Sequence, residues 1–387
     1  MRAIKNLATF SVNAPAGVRY IDSPDLLNEC LQFLNEHSVI AIDTEFIRER
    51  TYYPELCLIQ IAAGDSIWCI DTLAIEDLSS LFKVLGSPSR QKVFHAARQD
   101  LEIFFNETKQ IPAPLFDTQI AAALLGRPDQ IAYAGLVAEF YELDLDKSAS
   151  RTNWAQRPLS TRQLDYAADD VRYLEGVKRR LDEELDAKGR SGWLAEECLR
   201  LTELPQYEND PATAWRRVKG ISKLDTAARG IAAGLAAWRE RSAQQRNLPR
   251  GWVIKDDRLL AIARAAPISN AELRAIDGLA PGLLRRHGSE ILATVQAPAT
   301  GLSELDDLSL PRLKAAGKAL LQELLDELRK CAQSNQVSSS LIATRRDLES
   351  ALCGRTAIRL YGGWRNELIG DSVRNQIESN SNRPLHD

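Results

Sequence analysis

Two acidic residues follow a short apolar run and are separated by one residue. The run is Val39-Ile40-Ala41-Ile42, and Asp43-Thr44-Glu45 comes directly after it. Side chains at positions i and i+2 of a strand point to the same face, so a strand here directs both carboxylates to one place. They repel each other unless a cation lies between them, and Mg²⁺ and Mn²⁺ prefer oxygen ligands. The triplet therefore indicates part of a metal site, with a helix-cap or turn role as the alternative.

Two further acidic residues lie on predicted helices. Asp100 falls in the first turns of a helix that follows a predicted strand, where a carboxylate also suits the helix dipole. Tyr166 and Asp170 are four residues apart on a helix that begins near Ser160, so they share one face. Asp169 points about 100° away from Asp170 and is the poorer candidate. A surface Tyr–Asp pair is the alternative for Tyr166 and Asp170.

Taken together, these residues predict phosphodiester chemistry. The four carboxylates Asp43, Glu45, Asp100 and Asp170 suit two divalent ions, and metal pairs about 3.5–4 Å apart activate a water and stabilise a leaving oxygen. Tyr166 lies one turn from a predicted ligand. Because an unperturbed phenol has a pKa near 10, we expect Tyr166 to orient the water rather than to act as its base.

The composition bounds the class of protein. With 387 residues, 44% hydrophobic and 26% charged, the chain predicts two or three globular domains. The net charge of -4 means that nucleic-acid binding needs local basic patches. No apolar stretch approaches the roughly 20 residues that span a bilayer, and Met1–Phe10 shows no signal peptide. The six scattered cysteines and four histidines predict no zinc site, and a cytoplasmic location is expected.

The N-terminal half reads as a mixed sheet covered by helices. Gly64-Asp65, between the predicted strands 56–63 and 66–71, is typical of a hairpin turn. The polar segment 202–213 is predicted to be a linker. Predicted strands are 38–43, 56–63, 66–71 and 91–95, and predicted helices are 24–36, 77–85, 97–106, 117–125, 131–140 and 161–188. Beyond the linker, the sequence predicts two helical blocks, 212–296 and 301–378, and a disordered polar tail, 379–387.

Three motifs resemble ribonuclease D. They are DTEF at 43–46 with the following Tyr52-Tyr53-Pro54 and LCLIQI, HAARQDLEIF at 95–104, and YAADDVRYL at 166–174. The segment LDKSASRTNWAQRPLS at 145–160 is also similar to that family. The resemblance implies a ribonuclease H-like exonuclease domain over 1–205 of the DEDDy subgroup. Its expected metal ligands and tyrosine are Asp43, Glu45, Asp100, Asp170 and Tyr166.

The same resemblance implies an activity and a domain order. The activity is a metal-dependent 3′-5′ exoribonuclease that trims tRNA precursors and releases nucleoside 5′-monophosphates. The two helical blocks resemble HRDC domains, the first more clearly than the second, and two such modules follow the exonuclease domain in bacterial ribonuclease D. The expected oligomeric state is a monomer.

Candidate RNA contacts come from two regions. Between 216 and 250 the chain has nine Arg or Lys and two acidic residues, with tryptophans interleaved; basic groups contact phosphates and aromatic rings stack on bases. Solvated arginines and core tryptophans are the alternative. Near the site, the predicted substrate contacts are Arg151, Trp154, Arg157, Gln60 and His95. The alternative for the first three is an ordinary connecting loop, and the alternative for His95 is a packed histidine at a strand end.

Two other functions compete with the exoribonuclease. A DNA exonuclease uses the same metals, and the carboxylates do not separate it from an RNA enzyme, because recognition of the 2′-OH depends on other residues. A non-catalytic RNA-binding module predicts the loss of a carboxylate, and all four are present.

Overall fold

The computed structural model describes residues 17–146, 148–149, 151–299, 310–356 and 358–386. They form two compact units. The first comprises the described residues of Met1–Ile47, Leu56–Tyr207 and Leu313–Asp387, and the second those of Arg48–Glu55 and Glu208–Arg312. The segment Met1–Phe10 and the start of the predicted second helical block, 301–309, lie outside the described residues.

The first unit is built on a mixed sheet, as the sequence predicts. Its strands among the described residues are β1 (Val18–Ile21), β2 (Val39–Ile47), β3 (Glu55–Ala63), β4 (Ser66–Asp71), β5 (Gln91–Phe94) and β6 (Leu115–Asp117). Their order in space is β1-β4-β3-β2-β5-β6. The β3–β4 pair is antiparallel, whereas β1–β4, β2–β5 and β5–β6 are parallel.

The strand predictions are accurate where apolar runs are long. β3, β4 and the hairpin turn at Gly64-Asp65 lie where expected, and Gly64 adopts a φ of +52°, a conformation that glycine tolerates readily. The strands β1 and β6 were not predicted, because they have four and three residues and show too little periodicity. β2 extends to Ile47, so Asp43 and Glu45 lie inside the strand rather than beyond its end.

Among the described residues up to Leu201, eight α-helices accompany the strands. They are α1 (Pro24–Asn35), α2 (Ser79–Leu85), α3 (Arg98–Thr108), α4 (Thr118–Leu124), α5 (Tyr133–Tyr141), α6 (Thr161–Arg172), α7 (Leu174–Ala187) and α8 (Ser191–Leu201). The predicted helix 161–188 is interrupted at Tyr173, whose amide donates to the Tyr133 hydroxyl at 3.1 Å. This tertiary hydrogen bond is not visible in the helical pattern.

The core explains the long apolar run of β3. Leu58, Ile59 and Ile61 are fully buried, so side chains on both faces of the strand are covered, as expected for a strand inside a sheet with helices on each side. Burial of each such side chain contributes about 1.5–3 kcal/mol. The strand beside it, β2, is therefore held in a rigid part of the sheet.

The second unit is helical and has its own core. Its α-helices are α9 (Thr226–Arg246), α10 (Arg250–Val253), α11 (Asp256–Ala265), α12 (Asn270–Ala275) and α13 (Pro281–Gln296), with short 3₁₀ segments at Pro211–Arg217 and Ile221–Lys223. Trp215 and Trp238 are buried in its core, and Tyr52 from the segment Arg48–Glu55 packs there as well.

The C-terminal helices belong to the first unit and share its hydrophobic core. They are α-helices at Ala315–Ser334, Ser339–Ile342, Arg345–Leu352, Gly363–Arg365 and Asp371–Ser379, with a 3₁₀ turn at Arg359–Tyr361 and a π-helix at Asn366–Gly370. The Trp193 and Trp364 rings stack with centroids 4.6 Å apart. The tail differs from the expected disorder: Leu385 is buried, and its carbonyl accepts a hydrogen bond from the Lys314 amide at 3.0 Å.

None of the helices within the described ranges has the length and apolar content that crossing a membrane requires.

Candidate active site

Three acidic side chains converge on one point of the first unit. Asp43 and Glu45 point from the same face of β2, and Asp170 reaches them from α6. One carboxylate oxygen from each lies within 4.8 Å of the other two, and all three residues are half-buried. Oxygen donors of this kind suit a hard divalent cation, so the donor set fits the metal site that the sequence predicts.

The fourth predicted carboxylate lies beside this group. Asp100 is buried in the first turn of α3 and accepts a hydrogen bond from the Thr44 hydroxyl at 2.5 Å. Its negative charge contributes to the raised pKa of Asp43, although its oxygens are not among the three that meet within 4.8 Å. Thr44, between the two acidic residues of β2, therefore orients Asp100, a role the sequence did not reveal.

The clustered carboxyls hold protons more tightly than ordinary ones. Burial and the neighbouring charges of Asp100, Asp170 and Glu45 raise the pKa of Asp43 well above its usual value. Burial and the charge of Asp170 raise the pKa of Glu45 to about 9. Burial raises the pKa values of Asp100 and Asp170 to about 7, although hydrogen bonds from Thr44 and Tyr166 act in the opposite direction. A cation that binds here displaces these protons.

Helix α6 has a defined start, which sets the position of Asp170. The Ser160 hydroxyl accepts from the Gln163 amide at 3.3 Å, and the Gln163 side chain accepts from the Ser160 amide at 3.0 Å. This capping box satisfies backbone donors at the helix start. The residues Leu164, Ala167, Ala168 and Val171 form the buried face, which leaves Tyr166 and Asp170 beside it.

Asp117 helps to fix the start of α3, as the capping box fixes the start of α6. The sequence did not identify this residue. At the end of β6, its carboxylate accepts from the amides of Ala96 and Ala97 at 3.2 and 2.8 Å, just before α3 begins. It also accepts from Gln119 and Ile120 at the start of α4. An aspartate at the start of a helix is a capping signal, and the helix predicted over 117–125 begins one residue later, at Thr118. The contact of Asp117 with the β5–α3 junction depends on the tertiary structure.

Tyr166 lines a cavity together with Asp170, one of the clustered carboxylates. Burial and the charges of Asp170, Glu45 and Asp43 raise its pKa, and its side chain is hydrogen-bonded to Asp170. Its hydroxyl therefore keeps its proton at neutral pH. The cavity has a volume of about 240 Å³ and includes Tyr133, Tyr166 and Asp170 in its lining. A larger, mainly apolar cavity elsewhere in this unit, of about 440 Å³, is not lined by any of the four carboxylates.

The predicted substrate contacts lie in different environments. Arg151 is exposed, whereas Trp154 is buried, with its ring centroid 6.0 Å from that of Tyr166. Gln60 is fully buried and neither its side-chain oxygen nor its nitrogen has a hydrogen-bond partner among the described residues. The ring of His95 lies 2.9 Å from the Thr118 hydroxyl and 3.0 Å from the Ile131 carbonyl, and burial lowers its pKa.

Arg157 is engaged by the fold. Its guanidinium pairs with Asp71 at 2.5 and 2.7 Å and donates to the Cys57 carbonyl at 2.8 Å. Burial favours the protonated acid, but the hydrogen bonds from Arg157 and Tyr20 hold the pKa of Asp71 below its usual value. These contacts support a structural role for Arg157, which ties the loop before α6 to the sheet.

The basic segment of the second unit divides into two groups. Arg239 is buried and pairs with Asp256 at 2.7 Å, and Arg250 pairs with the buried Glu240 at 2.5 Å. The exposed cations of the segment include Lys219, Lys223, Arg241 and Arg246. Trp215 and Trp238 are in the core, whereas the Trp252 side chain is 61% exposed.

The mixed sheet and its acidic cluster lie in a part of the chain that matches a known family of nucleases. The sequence profile described as 3′-5′ exonuclease matches residues 18–186, and the profile described as HRDC domain matches residues 228–295, within the predicted first helical block.

The relatives name the family. A ribonuclease D of Granulibacter bethesdensis is 38% identical over 366 residues, which cover 93% of this chain and 92% of the relative. That of Escherichia coli is 36% identical and covers 92% of this chain and 98% of the relative. The crystal structure of Escherichia coli RNase D, an exoribonuclease involved in structured RNA processing, superposes with a TM-score of 0.83 at 34% identity, over 94% of this chain and 99% of that one. The chain belongs to the ribonuclease D family and is a hydrolytic 3′-5′ exoribonuclease.

Proposed function

We propose that this enzyme trims the 3′ ends of structured RNAs, tRNA precursors in particular, with two divalent metal ions, Mg²⁺ or Mn²⁺. The observation that carries the proposal is the convergence of Asp43, Glu45 and Asp170 within 4.8 Å of one another. Asp100 completes the proposed ligand set from the neighbouring helix. When bound, the ions supply a water of lowered pKa and stabilise the charge on the leaving oxygen.

The protein residues contribute position and electrostatics. The four carboxylates supply the negative charge that holds the cations, and the sheet and helix caps fix their geometry. Tyr166 remains protonated, because burial and the carboxylates around it raise its pKa. Its role is to orient the attacking water by a hydrogen bond. Of the predicted substrate contacts, Arg151 is exposed and available to a phosphate.

The same proposal extends to the roles of the domains, the cellular location and the oligomeric state. We assign 1–205 to catalysis and the helical blocks 212–296 and 301–378 to RNA handling, with the exposed cations of the first block on the phosphates. None of the six cysteines forms a disulfide, which suits a reducing cytoplasm. The proposed working form is a monomer, and size-exclusion chromatography with light scattering checks this.

The substrate and metal assignments have one direct test. End-labelled tRNA precursor and single-stranded DNA of the same length are incubated with Mg²⁺, Mn²⁺ or EDTA. We expect faster shortening of the RNA, nucleoside 5′-monophosphates as products, and no reaction in EDTA. Equal or faster degradation of the DNA contradicts the RNA assignment, and activity that survives EDTA contradicts the metal mechanism.

Tyr166→Phe is expected to slow cleavage about a hundredfold, a typical effect of losing a positioned proton-transfer or water-orienting group. The ring and its packing remain, so RNA affinity and melting temperature should stay unchanged. Single-turnover cleavage of labelled RNA measures the chemical step. Tyr173→Phe, which also removes one phenolic hydroxyl close to the end of α6, is the control. An unchanged rate in Tyr166→Phe removes this residue from the mechanism.

A further inference from the structure

A second tyrosine lines the cavity beside the carboxylates. Tyr133, the first residue of α5, is part of the lining, together with Tyr166 and Asp170. It is only 8% exposed. Burial and the charges of Asp170 and Asp43 raise its pKa, against the effect of a hydrogen bond from the backbone. Its hydroxyl is therefore protonated at neutral pH and lies within electrostatic reach of the clustered carboxylates, and the mechanism proposed above does not use it.

Two contacts fix the position of the Tyr133 side chain. Its hydroxyl oxygen accepts a hydrogen bond from the Tyr173 amide at 3.1 Å, where α6 gives way to α7. Its ring centroid lies 5.7 Å from that of His95, and the His95 ring nitrogens are themselves bonded to Thr118 and the Ile131 carbonyl. A side chain locked by packing and by a hydrogen bond suits a contact that requires an accurate position.

The Tyr133 hydroxyl has a proton left to donate. A phenolic hydroxyl is both donor and acceptor, and the Tyr173 amide uses it as an acceptor. Within the described part of the chain, no hydrogen bond donated by this hydroxyl is found. Because buried polar groups are nearly always paired, an unused donor in the lining of a cavity indicates a partner that arrives with a ligand.

The cavity suits a nucleoside better than a phosphate group. Its volume of about 240 Å³ is below the roughly 300–1,000 Å³ of pockets for drug-sized ligands. The described lining residues include Asp146, Asp169 and Asp170 but no lysine or arginine. Arg162 and Arg172 pair with the first two of these carboxylates, at 3.7 and 2.7 Å, so Asp170 is left. Sugar hydroxyls donate to a carboxylate, whereas a phosphate is repelled unless a cation lies between them.

We propose that Tyr133 is a substrate-binding residue whose hydroxyl donates a hydrogen bond to a ribose hydroxyl of the 3′-terminal nucleoside, seated in this cavity. The inference rests on the proposed function, because it places the scissile phosphate on cations held by Asp43, Glu45 and Asp170, and the terminal nucleoside beside them. The 2′- and 3′-hydroxyls offer the same acceptor chemistry, and the 2′-hydroxyl is the group that distinguishes RNA from DNA. A contact to the 2′-hydroxyl makes Tyr133 a residue that determines specificity for RNA.

The experiment removes one hydroxyl from the enzyme and one from the substrate. Tyr133→Phe keeps the ring, and the full-length variant and the parent are assayed with Mg²⁺ on three short RNAs. These differ only in the last nucleotide, which is a ribonucleotide, a 2′-deoxynucleotide or a 3′-deoxynucleotide. We expect kcat/KM on the all-ribose RNA to fall about three- to tenfold in the variant, the effect of one neutral hydrogen bond. Parent and variant should be equal on the analogue that lacks the contacted hydroxyl, and the loss should persist on the other analogue.

Tyr141→Phe is the matched control. It removes a phenolic hydroxyl from the other end of α5, and Tyr141 is not among the residues that line the cavity, so all three rates should stay unchanged. Tyr133→Phe also removes the acceptor of the Tyr173 amide, and its melting temperature is therefore measured. The assays are run at a temperature at which the variant is folded. A displaced α6 lowers the rates on all three RNAs by the same factor and does not imitate the expected pattern.

Two results contradict the inference. One is an unchanged kcat/KM of Tyr133→Phe on the all-ribose RNA. The other is a loss of the same size on all three RNAs, because this identifies the hydroxyl as a support for the end of α6 or as a phosphate contact. Full activity of Asp43→Ala contradicts the proposed function itself, so the two failures are distinguishable.

Discussion

Asp43→Ala is expected to abolish turnover while leaving the fold and RNA binding intact. The change removes one of three carboxylates whose oxygens lie within 4.8 Å of one another. Loss of metal stabilisation worth several kcal/mol corresponds to a decrease of about a thousandfold or more in kcat. Single-turnover degradation of labelled RNA measures the rate, and filter binding measures RNA affinity.

The fold should tolerate this substitution for an electrostatic reason. The pKa of Asp43 is raised by burial and by the charges of Asp100, Asp170 and Glu45, so without metal its ionised form opposes folding. This cost grows as the pH rises above the ordinary carboxyl pKa. Asp43→Ala should therefore melt at the same or a higher temperature than the metal-free parent at pH 8. Asp165→Ala, an exposed position on α6, is the matched control and should keep full activity. Full activity in Asp43→Ala would place the catalytic site elsewhere.

Glu197→Gln is expected to destabilise the first unit by about 3–5 kcal/mol, the typical cost of leaving a buried charge without its partner. Arg365 is fully buried and donates to both carboxylate oxygens of Glu197. Its remaining hydrogen bond goes to the Leu341 carbonyl at 2.9 Å. Trp364 also donates to Glu197, at 3.0 Å. Urea denaturation monitored by circular dichroism measures the loss of unfolding free energy. The sheet and helices that carry the four carboxylates should unfold together with the C-terminal helices, because they share one hydrophobic core.

The effect should depend on pH in a defined direction. Burial raises the pKa of Glu197, but the hydrogen bond and charge of Arg365 outweigh it and hold the pKa below its usual value. The pair therefore contributes fully above the unfolded pKa near 4.3 and is lost as the pH falls through the lower folded value. The difference between Glu197→Gln and the parent should be large at pH 7 and shrink below about pH 4.

An exposed pair in the same helical region provides the comparison. Asp326 and Arg329 are both more than half exposed, and Asp326→Asn should change the free energy of unfolding by less than about 1 kcal/mol. Equal effects of Glu197→Gln and Asp326→Asn would mean that the buried pair contributes little to the joint core.

Much of the fold was predictable because its signals are local. β3 and β4 are long apolar runs around a Gly-Asp turn, and α6 begins at a capping box formed by Ser160 and Gln163. By contrast, β1 and β6 are too short for a periodic signal, and the break at Tyr173 depends on a hydroxyl 40 residues away in the sequence. The same limit applies to Arg157, whose partner Asp71 carries no mark of that role in the local pattern.

The sequence by itself determined which groups are available for chemistry: two acidic residues in alternation on a strand, one at a helix start, and a tyrosine and an aspartate four residues apart. Strand and helix periods place such residues on defined faces, so local spacing suffices. Only the tertiary structure decided that Asp43, Glu45 and Asp170 meet, that Thr44 and Asp117 hold Asp100 and its helix, and that Arg48–Glu55 belongs to the second unit. These relations join residues far apart along the chain, and they depend on packing and on the pairing of buried polar groups, which no local pattern encodes.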